Sequence, residues 1–143
     1  TYTALEGRVT QRMETRGRLQ AFQNHAIVCD AWHMQLFDRH KGPGLQSIDE
    51  MLLSSPDHRG ATGPMLFRIG FGVEYVGEEQ ITVKAGRFDA LHFRFVSSPG
   101  LPQAHPAYDI WCTADGDFIF LKGVIGGYML TEYELVRLEY EKG

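Results

Sequence analysis

From Met65 to Tyr75 the alternation is clear. Met65, Phe67, Ile69, Phe71, Val73 and Tyr75 fall on one side, and Arg68, Gly70, Gly72 and Glu74 on the other. A period of two sorts residues onto the two faces of a strand, which a helical turn cannot do. Strand signals then continue to the C-terminus. Glu79 to Lys84 and Arg87 to Val96 are joined by a tight Ala85-Gly86 turn. Tyr108 to Thr113 and Phe118 to Lys122 flank Ala114-Asp115-Gly116-Asp117, whose Asp-Gly pair suits a primed hairpin turn. Gly126-Gly127 precedes a last strand from Tyr128 to about Tyr140.

The N-terminal half is less regular. Residues 7 to 23 read as two short strands around Thr15-Arg16-Gly17. His25 to Phe37 is rich in β-branched and aromatic residues, yet Ala26, Ala31, Met34 and Leu36 leave helix open. Ser47 with Asp49-Glu50 and Met51-Leu52-Leu53 predicts one short capped helix between residues 46 and 54, ended before Pro56. A polar, glycine-rich loop follows from Ser54 to Pro64.

A chain of 143 residues has room for one core, so residues 1–143 are expected to form one domain. A meander of this size must hide its edge strands, and closing on itself removes them. The expected fold is mainly β: a single antiparallel meander barrel of about eight to ten strands with one short helix. A two-sheet sandwich is the alternative. The net charge of −4 and the lack of any basic run exclude nucleic acid as a default partner. No apolar run approaches the length of a membrane span, so no membrane partner is expected. Cys29 and Cys112 are too few for a disulfide scaffold or a cysteine-rich zinc site, and each reads as a small buried hydrophobe or half of one disulfide. The cytoplasm is the expected compartment, with the periplasm as the alternative if a signal peptide was removed.

The segment Gly77-Glu78-Glu79-Gln80-Ile81-Thr82-Val83-Lys84-Ala85-Gly86-Arg87-Phe88-Asp89-Ala90 resembles the signature hairpin of uncharacterised bacterial lipocalin-like barrel domains. Tyr108-Asp109-Ile110-Trp111 and Thr131-Glu132-Tyr133-Glu134-Leu135 are similar in placement. The resemblance covers roughly the C-terminal half of the chain. It implies a barrel fold and implies no particular reaction.

No phosphate loop, dinucleotide fingerprint or Gly-x-Ser-x-Gly elbow occurs. The histidines at 25, 33, 40, 58, 92 and 105 show no zinc spacing, and neither metal nor cofactor is expected. His92 and Arg94 share a face with Ala90, opposite Leu91, Phe93 and Phe95. Either that pair points to solvent above an aromatic core, or it lines a cavity as a general base beside an anion anchor. Asp109 and Trp111 alternate on the next strand, and Asp30 and Trp32 repeat the spacing. A tryptophan face can hold an aromatic ligand. Thr131 and Tyr133 form a further polar pair, with Tyr133 a possible proton donor. Arg59, in the glycine-rich loop, would meet an anionic group at the mouth of a barrel.

Three functions fit these residues. The first is a cofactor-free acid–base enzyme of lyase, decarboxylase or isomerase type, acting on a small, hydrophobic, aromatic anion. His92, Asp109, Tyr133 and Arg94 would be its catalytic group, with Trp111, Trp32, Asp30, Thr131, Arg59 and His25 binding substrate. The second is a non-catalytic carrier or sensor of a small hydrophobic ligand. The third is an interaction domain filled by its own side chains. Apolar residues on both faces of the last strand, Leu130, Val136 and Leu138 against Met129 and Leu135, predict a homodimer.

Overall fold

The computed structural model describes residues 2–5, 8–14, 17, 21–23, 26–53, 66–97 and 106–141. Within them the chain is mainly β. Strands β1 (Tyr2–Leu5) and β2 (Arg8–Gln11) pair as an antiparallel ribbon. The large sheet runs in chain order through β3 (Ala21–Gln23), β4 (Gly44–Leu53), β5 (Phe67–Val83), β6 (Gly86–Ser97), β7 (Tyr108–Thr113), β8 (Phe120–Ile125) and β9 (Thr131–Glu134). From β4 to β9 every pairing is antiparallel, while β3 joins β4 in parallel. One α-helix, α1 (Ile27–His33), packs on β7 and β8. Among the described residues no helix is long and apolar enough to cross a membrane.

The helix expected between residues 46 and 54 is instead strand β4, and the helix forms at residues 27–33, where the sequence left it open. A bulge explains the misreading. Ile48 lies opposite Phe71 and Met51 opposite Ile69, so one extra residue is absorbed at Asp49-Glu50, where Glu50 takes φ +54°. That insertion gives Ile48, Met51 and Leu52 the spacing of a helix face within a strand. The bulge also explains Gly70: a Cβ there would stand 2.9 Å from Asp49 Oδ1 and 3.3 Å from the Ile48 carbonyl.

The expected barrel is not closed, because among the described residues β9 pairs with β8 alone. The sheet nevertheless curls. At the tip of the β5–β6 hairpin, Ala85 N–H donates to the Leu135 carbonyl at 3.0 Å. Beside it, Lys84 Nζ lies 2.8 Å from Glu134 Oε1. These contacts span β7 and β8, which lie between the hairpin and β9.

The main core occupies one face of this sheet. Phe71, Val73, Leu91, Phe93, Phe95, Ile110 and Cys112 are buried against Ala31 and Met34 of the helical segment and against Phe37. The alternation read from the sequence holds here, with Ile69, Phe71 and Val73 buried and Phe67 and Tyr75 partly so. Beyond Tyr75 it changes face. Tyr75 pairs with Phe93, but Gly77 pairs with His92, so a second bulge at Val76 moves the following odd-numbered residues to the other side. Gly77 takes φ +151° at this point, a conformation open mainly to glycine. Gly77, Glu79, Ile81 and Val83 therefore share a face with His92 rather than with Phe93.

Candidate functional site

Cross-strand register builds two polar rows on the face opposite the main core. His92, Trp111, Lys122 and Glu134 form one row across β6 to β9. Arg94, Asp109, Val124 and Glu132 form the next. Glu79 of β5 reaches the same face because of the bulge at Val76. The β5–β6 hairpin tip curls over this face, since Glu134, which bonds Lys84, lies in the His92 row.

Two carboxylate oxygens organise the cluster. Asp109 Oδ1 lies 2.7 Å from His92 Nε2 and accepts Arg94 Nε–H at 3.0 Å. Glu79 Oε1 accepts the Trp111 indole N–H at 2.8 Å and lies 3.4 Å from His92 Nδ1. The imidazole is thus held edge-on between two acids, and it is only 8% exposed. Its ring stacks on Trp111, with centroids 4.2 Å apart and planes 19° apart. Lys122 Nζ stands over the same indole at 5.8 Å and pairs with Glu132 Oε1 at 2.8 Å. Arg94 turns its other end towards Glu74, at 3.9 Å.

Four of the residues singled out in the sequence, His92, Arg94, Asp109 and Trp111, therefore meet. They do so on the face away from the aromatic core, yet His92 is almost fully covered, so neither simple reading of β6 describes it. Trp111 does not offer an open aromatic wall, because the His92 ring is stacked on its face. Tyr133 and Thr131 do not join the cluster. They pair with Gly123 and Ile125 on the opposite face, where Tyr133 is 44% exposed and Thr131 donates to the Met129 carbonyl at 2.7 Å.

Asp30 and Trp32 belong to α1, on the core side of the sheet. Trp32 is exposed, whereas Asp30 is buried and accepts the Tyr108 hydroxyl at 2.8 Å. His33 Nδ1, also buried, lies 3.6 Å from the same carboxylate. Burial, with the Asp30 charge, pushes the Tyr108 hydroxyl well above its usual value. His25 and Arg59 lie outside the described residues. Cys29 and Cys112 are not bridged to each other, and burial pushes the Cys112 thiol up to about 12.

Sequence reasoning missed Glu79, Lys122 and Tyr108. For Glu79 a signal existed in Val76-Gly77, since a glycine inside a strand marks a bulge that reverses parity. Among the described residues no group of three or more His, Cys, Asp or Glu side chains has the arrangement of a metal site. Comparison with protein-family models, with curated proteins and with solved structures finds no match.

Proposed function

We propose that this chain is a cofactor-independent acid–base enzyme of lyase or isomerase type, acting at His92 on a small aromatic anion. The observation that carries this reading is the pairing of His92 Nε2 with an Asp109 oxygen that Arg94 also holds. A carboxylate at one ring nitrogen fixes the imidazole's orientation and leaves the other nitrogen to move a proton. On this reading Nδ1 exchanges the proton, and the half-exposed Glu79 passes it to solvent. The outer edge of Arg94 would hold the substrate carboxylate, since a planar guanidinium matches that ion. Val124, in the Arg94 row, would supply the apolar contact that Trp111 does not.

The lipocalin-like resemblance of the Gly77–Ala90 hairpin suits this reading, because such a hairpin would roof a ligand on the His92 face. A homodimer belongs to the same proposal. Leu130 at 84% exposure and Val136 at 65% leave apolar surface beside β9 for a second copy to cover.

A second reading, a non-catalytic carrier, draws on a different observation. Each side chain of the cluster already has a partner within the protein, as in a site that binds without chemistry. One experiment separates the two. The protein is incubated in D2O with a panel of aromatic keto acids and hydroxy acids, and proton NMR follows loss of substrate C–H signals and appearance of products. Turnover that falls about a hundredfold or more in a folded His92→Ala variant supports the enzyme. Turnover unchanged by His92→Ala refutes it, and binding of a panel member without turnover favours the carrier.

A further inference from the structure

We infer that the cavity between the Phe37–His40 segment and Phe118 is a binding site for a small aromatic carboxylate, distinct from the His92 cluster. The cavity measures about 620 Å³, with Leu36, Phe37, Asp38, Arg39, His40 and Phe118 among the residues on its walls. That volume lies within the range of small-molecule sites. It opens on the core side of the sheet, because Phe37 packs on Phe93 at 5.4 Å and on Tyr75 at 6.1 Å. The inference does not depend on the acid–base reading.

Arg39 supplies the anion anchor. No carboxylate among the described residues pairs with its guanidinium, which stands 5.8 Å over the Phe118 ring. The nearest acid in sequence is committed elsewhere: Asp38 Oδ1 accepts His40 N–H at 3.1 Å, and Asp38 Oδ2 lies 3.8 Å from Lys41 Nζ. The positive field of Arg39 reaches inward to Tyr75 and Cys112, lowering both against the larger effect of their burial. An unpaired guanidinium on a cavity wall presents parallel N–H donors that a carboxylate accepts two at a time.

Phe118 supplies the aromatic surface. Its backbone takes φ +52°, a left-handed conformation that bulky side chains rarely adopt. The frame around the cavity is firm. Phe37 is buried in the core, Asp38 N–H donates to Gln46 Oε1 at 3.1 Å, and Gln46 Nε2 donates to the Asp38 carbonyl at 2.7 Å. An aromatic carboxylate would set its ring on Phe118 and Leu36 and turn its charge to Arg39. An aliphatic acid would use only the charge, and a neutral aromatic only the ring.

The test is a titration of the full ¹⁵N-labelled chain with benzoate, followed by amide chemical shifts, with acetate and benzyl alcohol as comparison ligands. Benzoate should move the amides of residues 35–40 and 118 and bind more tightly than either comparison ligand. Arg39→Gln should weaken benzoate about tenfold or more while the rest of the spectrum stays in place. Phe118→Leu should weaken benzoate and leave acetate unchanged. The assignment is overturned if benzoate moves no amides here at millimolar concentration, or moves those around His92 and Arg94 instead. It is equally overturned if Arg39→Gln binds benzoate as the parent does, or if acetate binds as well as benzoate.

Discussion

Replacing Tyr108 with Phe removes a single hydroxyl from beneath α1. The ring itself stays in place, stacked on Phe95 with centroids 4.5 Å apart and planes 8° apart. What is lost is the 2.8 Å bond from the phenol to Asp30 Oδ2. Asp30 is only 2% exposed, so bulk water cannot replace the donor. A hydrogen bond to a charged acceptor contributes about 1.5–3 kcal/mol. Tyr108→Phe should therefore lose about 2 kcal/mol in urea unfolding at neutral pH, with Tm lower by roughly 4–8 °C for a chain of this size. The pH dependence adds a second readout. The folded phenol ionises well above 10.0, the ordinary value expected in the unfolded chain. A group raised in the fold contributes stability that is fully present below the unfolded value and is lost as pH rises towards the folded one. Stability of the parent should thus fall more steeply above about pH 10 than that of Tyr108→Phe, narrowing the gap between them. A variant within about 0.5 kcal/mol of the parent at pH 7, or a gap that stays constant into strong alkali, would refute the reasoning.

Three further outcomes are expected. Gly77→Ala should destabilise by about 1–3 kcal/mol in thermal or urea unfolding, because an alanine is strained at this φ; an unchanged midpoint removes the bulge at Val76 from the account. Phe93→Ala, which empties the space between Phe37 and Tyr75, should cost about 3–5 kcal/mol in chemical denaturation, and a loss below about 1 kcal/mol would place Phe93 outside the core. Cys112, with its thiol pushed up to about 12, should resist a thiol reagent at pH 8 until the chain unfolds. Rapid native-state labelling of both cysteines would contradict that burial.

Where two residues per repeat set the pattern, the sequence was readable. Phe67 to Tyr75 and Leu91 to Phe95 fall as their alternation says, because each presents one continuous apolar face to a single core. The misreadings sit at bulges. Asp49-Glu50 turned a strand into an apparent helix, and Val76-Gly77 hid Glu79 on what looked like the wrong face. One inserted residue reverses every later side chain while hardly changing local composition, so at Asp49-Glu50 only the partner strand reveals it, and at Val76-Gly77 the glycine is the one local mark. The His92, Arg94, Asp109 and Trp111 group was legible for the same reason in reverse, since β6 and β7 pair over six residues without a shift. Tyr133 was misplaced because its face is set by register through three ladders, from Tyr133 to Gly123 to Ile110 to Phe93, which spacing on β9 alone does not show. Asp30 could not be assigned from spacing, since its strand-like neighbourhood is a helix whose partner, Tyr108, lies 78 positions away.

The meeting of the hairpin tip with β9 has a kinetic side. Every pairing from β4 to β9 joins neighbours in the chain, so these ladders can zip one after another at small entropic cost. The contact of Lys84 with Glu134 links positions 50 apart and gains its loop-closure reward only once β7 and β8 stand between them. It should be the last contact to form and the first to open. The Ala85 amide should then exchange its hydrogen through a small local opening, whereas the amides of Phe93 and Ile110 should wait for unfolding of the whole sheet. Between those two free energies there should lie a state in which the core is intact and the Glu134 end of the His92 face is uncovered, reached without unfolding anything else.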